Sequence, residues 1–63
     1  MPAALVRANR LLTVAKVADG LGISAKTVRR LIARKAIVIH RIGRQIRISE
    51  ADLAIYIRSR RLL

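Results

Sequence analysis

Sixty-three residues allow one domain, near the lower limit at which a hydrophobic core holds a fold without cross-links. The chain has no cysteine, which excludes disulfides and thiolate metal sites and fits a reducing compartment. Its formal net charge of +11, from 14 Lys and Arg against 3 Asp and Glu, repels itself unless an anion screens it, so a polyanionic partner is implied.

Arginine supplies 11 of those 14 cations. Its guanidinium suits bidentate contact with phosphate oxygens and guanine edges, which favours nucleic acid over an acidic protein or a membrane surface. No apolar run approaches the roughly 20 residues that span a bilayer. The opening Met1-Pro2-Ala3-Ala4-Leu5-Val6-Arg7 holds too short an apolar stretch for a secretion signal. A cytoplasmic protein is expected. The lone aromatic, Tyr56, leaves the core to Leu, Ile, Val and Ala.

In chain order, residues 1–10 lack a helix cap or a sustained period and are read as a flexible basic arm ending at Arg7 and Arg10, a disordered terminus rather than a groove-binding arm. Thr13 then offers an N-cap, and Val14, Val17, Ala18 and Leu21 recur at i, i+3, i+4 and i+7, predicting a short amphipathic helix over 14–21. Lys16 stands where a capping box would carry Glu or Gln, and it faces the positive end of the helix dipole. It serves either a bound phosphate or simply solvent.

Gly22 suits a left-handed helix end and Ser24 suits the cap of a second helix, from Ala25 to about Lys35. On that helix Ala25, Val28, Leu31 and Ile32 share the inward face. Lys26, Thr27, Arg29, Arg30, Ala33 and Arg34 share the outward one. Two helices joined by so tight a turn, the second basic on its free face, outline a DNA-reading helix-turn-helix.

From Ile37 to Ile48 the period changes to two around a turn at Gly43-Arg44, predicting a β-hairpin whose register the pattern leaves open. Arg41, Arg44 and Arg47 make its tip a basic wing. Ser49-Glu50-Ala51-Asp52 is the clearest helix start, with acids in the first turn. Leu53, Tyr56 and Ile57 are the expected inward face of this third helix, residues 50 to about 60, with Ile55, Leu62 and Leu63 expected to form a small exposed apolar patch. The chain thus divides into the arm at 1–10, a winged-helix domain at 11–61 and a tail at 62–63.

Leu11-Leu12-Thr13-Val14-Ala15-Lys16-Val17-Ala18, Leu21-Gly22-Ile23-Ser24, Thr27-Val28-Arg29-Arg30-Leu31-Ile32, Arg41-Ile42-Gly43-Arg44 and Arg47-Ile48-Ser49-Glu50-Ala51-Asp52-Leu53 with Tyr56 resemble the small winged-helix excisionase family. The family pattern runs roughly LLTxxEVAxxLGVSxxTVxRLIxxGxLPxxRIGRxWRIxxxDLxxYL. The resemblance covers residues 11 to 57 and implies an α+β, MerR-like winged helix-turn-helix with three helices and a two-stranded wing. It implies that the second helix enters the major groove and the wing the neighbouring minor groove. Carried over by position, Lys26, Thr27, Arg29, Arg30 and Arg34 take the major-groove and flanking phosphate contacts. Arg41, Gly43, Arg44 and Arg47 take the wing; Lys16 has no counterpart in the pattern and is a candidate phosphate contact only through its place at the start of the first helix.

For an excisionase, or recombination directionality factor, the resemblance further implies repeated sites on double-stranded DNA, DNA bending and an integrase partner; the small surface that a single module buries on DNA leads to the expectation of cooperative self-association on adjacent sites. The alternative with the same fold is a prophage-type transcriptional regulator. Departures from the pattern are Lys16 for an acid, Ile46 for the wing aromatic, Ile37-Val38 for Leu-Pro, and His40 at an apolar strand position, where a packed neutral histidine is expected rather than a ligand.

No enzyme is expected. Three carboxylates and one histidine pair no nucleophile with a base and supply no metal-ligand set, and no cofactor, metal or small-molecule ligand is implied. RNA binding usually brings stacking aromatics, which this chain lacks. A membrane-active peptide would want one long amphipathic helix, which Gly22 and the strand-period region interrupt.

Overall fold

The computed structural model describes residues 10–62. The expected arm therefore lies outside the described residues except for Arg10, and Leu63 of the tail lies outside them too. Three helices form, α1 Val14–Leu21, α2 Ala25–Ala33 and α3 Glu50–Ser59. Each begins at a hydroxyl side chain on extended backbone that accepts from an otherwise orphaned N–H. Thr13 Oγ1 accepts from Lys16 at 3.0 Å, Ser24 Oγ from Thr27 at 3.1 Å, and Ser49 Oγ from Asp52 at 3.0 Å. The third cap is reciprocal, because Ser49 Oγ also donates to Asp52 Oδ2 at 2.8 Å.

The helix ends are also set locally. Gly22, at φ 68°, closes α1 while the Ile23 N–H reaches back to the Ala18 carbonyl at 3.0 Å. The second helix stops at Ala33, short of the expected Lys35. There Lys35 takes φ 57° and the Ala36 N–H donates to the Leu31 carbonyl at 2.9 Å. The same closure is thus made with a lysine in the left-handed position. It turns the chain back early enough for Ile37 to enter the core.

A hairpin of β2 His40–Ile42 and β3 Gln45–Ser49 turns at Gly43, φ 61°. The expected strand from Ile37 is shorter than predicted because Ile37 is a buried core residue, drawn out of the sheet. A strand absent from the sequence reading, β1 Leu11–Leu12, pairs antiparallel with Ser49 and Ile48. Two residues are too few to show a period of two. The sheet order is β1, β3, β2, and the Glu50 N–H donates to the Arg10 carbonyl at 2.9 Å just beyond the β1 pairing.

Val17, Ala18, Val28, Ile37 and Ile48 are buried together, with Leu12, Leu21, Leu31, Ile32, Leu53 and Tyr56 packed partly against them. Two expectations about burial fail. Ile57 is 49% exposed rather than inward, because Leu21 and Ile23 opposite the last turn of α3 leave a groove open instead of closing on it. His40 is exposed rather than packed. It pairs with Arg47, so the pleat sets it on the sheet face opposite Ile46 and Ile48, and its Nε2 lies 3.3 Å from Asp52 Oδ2. The result is α+β, a small winged helix-turn-helix with a three-stranded antiparallel sheet.

Candidate nucleic-acid interface

The left-handed Gly22 and the Ser24 cap turn the chain sharply, so that α1 and α2 pack through Val17, Ala18 and Val28. Burial of Val28 on one side of α2 forces the opposite side outward. Lys26, Arg29, Arg30, Ala33 and Arg34 are exposed. Thr27 is half-buried, with its Oγ1 2.9 Å from Ser24 Oγ, so its hydroxyl already has a partner.

In the hairpin, Arg41, Gly43 and Arg44 are exposed. The register pairs Arg41 with Ile46 and His40 with Arg47, which sets Arg41 and Arg47 on opposite faces. Arg47 is half-buried and its Nη1 donates to the Ile46 carbonyl at 2.8 Å and to Gln45 Oε1 at 3.4 Å. Its guanidinium is therefore held against its own strand, with donors left over.

These elements meet at a cleft of about 360 Å³. The start of α1 forms one wall through Thr13, Val14 and Ala15. Arg29 of α2 and the wing residues Arg44 and Arg47 supply the charge. Three cations from two separate elements thus converge beside the positive end of a helix that carries no acid in its first turn. Among the described residues the one contact of a carboxylate with a basic side chain is Asp52 with His40, so no carboxylate neutralises these arginines. The cleft is thus cationic, with no carboxylate in its lining among the described residues. Lys16 is exposed one residue beyond this wall, while Lys26, Arg30, Arg34 and Arg41 lie outside the lining.

The chain matches the helix-turn-helix domain family over residues 11–61. It belongs to that family. The helix-turn-helix domain is a DNA-binding module. Searches of curated proteins and of solved structures find no match.

Within this helix-turn-helix protein, the sequence pattern singles out Arg29, Arg44 and Arg47 but not their convergence. It missed the wall formed by Val14 and Ala15 and the place of Gln45 beside it. Only the hairpin register and the position of α1 against the wing bring them together. No group of three or more metal-ligating side chains occurs among the described residues, and no helix there is long and apolar enough to cross a membrane. Asp52 is committed to Ser49 and His40.

Proposed function

We propose that the protein binds double-stranded DNA sequence-specifically as an excisionase-type recombination directionality factor, without catalysis, cofactor or small-molecule ligand. The observation that carries the DNA geometry is the cleft in which Arg29 of α2 and Arg44 and Arg47 of the wing stand together with no carboxylate among the described residues. A phosphate seated there joins the two DNA holds. In this reading α2 lies in the major groove, with Lys26, Arg29 and Arg30 toward base edges and phosphates and Thr27 and Arg34 at the margins. The wing, with Arg41, Gly43 and Arg44, follows the adjacent minor groove, and Lys16 meets the backbone.

The recombination role rests on the residue pattern quoted above. It carries with it repeated sites, DNA bending and an integrase partner. A single module buries only about 600–1,000 Å² of protein surface on DNA, which favours several copies bound cooperatively on adjacent repeats over one tight site.

An excision assay with the cognate integrase tests the role, and footprinting tests the binding mode. Excision that depends on this protein and protected direct repeats beside an attachment site are expected. Excision that proceeds equally well without it, with protection of a promoter operator, would assign the chain to transcriptional regulation instead.

A further inference from the structure

A second concavity, of about 540 Å³, lies between the turn that joins α1 to α2 and the last turns of α3. Leu21, Ile23, Tyr56 and Ile57 make its apolar floor. Ile23 is 37% exposed and Ile57 49% exposed, so the floor is open to a ligand. Arg58, Arg60 and Arg61 stand along its edge. The groove shares no residue with the basic cleft.

An apolar floor whose charged lining residues, among the described residues, are all arginines selects its occupant by charge. The three carboxylates of the side chains, Asp19, Glu50 and Asp52, are all absent from the lining. A second copy of the chain would bring +11 against three arginines, and residues 1–9 of the chain itself carry Arg7 and no carboxylate. Both are mismatched. Duplex DNA would satisfy the rim but leave the apolar floor uncovered. A peptide that satisfies both parts has apolar residues on one face and carboxylates flanking them, as an acidic amphipathic helix does.

We propose that this groove docks an acidic, amphipathic peptide segment of a partner protein, with its apolar residues on Ile23, Tyr56 and Ile57 and its carboxylates on Arg58, Arg60 and Arg61. The surface is separate from the DNA-facing cleft, so both are occupied at once.

The test is selection of twelve-residue peptides from a random display library on the intact chain, followed by titration of the selected peptides in solution. Selected peptides are expected to carry apolar residues at i, i+3 or i+4, and i+7 among Asp and Glu, and scrambling their order at constant composition abolishes the tight binding. Ile57→Lys and Ile23→Lys each weaken that binding by about tenfold or more, with the fold and sequence-specific duplex DNA binding retained. Arg61→Glu weakens it as well. Equal affinity for scrambled peptides, displacement of the peptide by saturating duplex DNA, or indifference to both isoleucine variants would overturn the proposal. So would a dimer in sedimentation that Ile57→Lys converts to monomer, or nuclear Overhauser contacts from Leu5 to Ile57 in the intact chain, because the groove's occupant would then be the chain itself.

Discussion

His40 Nε2 and Asp52 Oδ2 lie 3.3 Å apart, tying the base of the wing to the first turn of α3. The same carboxylate oxygen receives the Ser49 hydroxyl at 2.8 Å, and Ser49 is buried where His40 is not. The two contacts therefore differ in weight. An exposed pair contributes little, since water competes for both partners, whereas a buried N-cap leaves an N–H unsatisfied when it is removed. His40→Ala should change unfolding stability by less than about 0.5 kcal/mol. Ser49→Ala should lower it by about 1–2 kcal/mol, read from urea denaturation. Equal losses would show that the histidine contact fixes the helix start as firmly as the cap does.

Lys35 occupies φ 57° at the end of α2, in the place where the quoted family pattern carries glycine. A side chain there strains the backbone by crowding its own carbonyl, and glycine removes that crowding. Lys35→Gly should raise stability by about 1 kcal/mol, and Lys35→Val should lower it, because a β-branched residue fits the left-handed region worst. A shift of the urea midpoint in the opposite order would mean that the lysine side chain makes a compensating contact.

Ile37 is 5% exposed and its neighbour Val38 is 61% exposed. Ile37→Ala should therefore destabilise the domain by about 2–5 kcal/mol, enough to unfold much of so small a protein. Val38→Ala should stay within about 0.5 kcal/mol. Circular dichroism melting of the two variants checks the contrast, and comparable losses from both would place Val38 in the core.

The same pair shows where the sequence was legible. Hydroxyl caps at Thr13, Ser24 and Ser49 and the period of α1 are local signals, and the three helix starts agree with them. Ile37-Val38-Ile39 is apolar throughout, so no period could say which residue turned inward. Burial there is decided by a long-range contact with the helices. The strand at Leu11–Leu12 was hidden for the same reason, since its partner Ser49 lies far along the chain. At the candidate site, composition named the arginines. It did not separate Arg44, exposed at the turn, from Arg47, whose guanidinium is bound to the Ile46 carbonyl.

That separation gives an ordering for DNA binding on the proposed reading. With about six phosphates neutralised, the logarithm of the binding constant should fall with the logarithm of salt at a slope of roughly −5. Arg44→Ala should weaken all duplex sequences alike and reduce the steepness of that slope by about 1. Arg47→Ala should have a smaller effect on the slope, since part of its donor capacity is already used within the strand. Arg30→Ala, on the exposed face of α2, should cost about 1–3 kcal/mol on the specific site and relax preference at one base pair. Titrations of specific and scrambled duplexes over a range of salt concentrations distinguish these outcomes. A loss from Arg30→Ala that is uniform across sequences would make it a backbone contact and move base reading to Lys26 or Arg29.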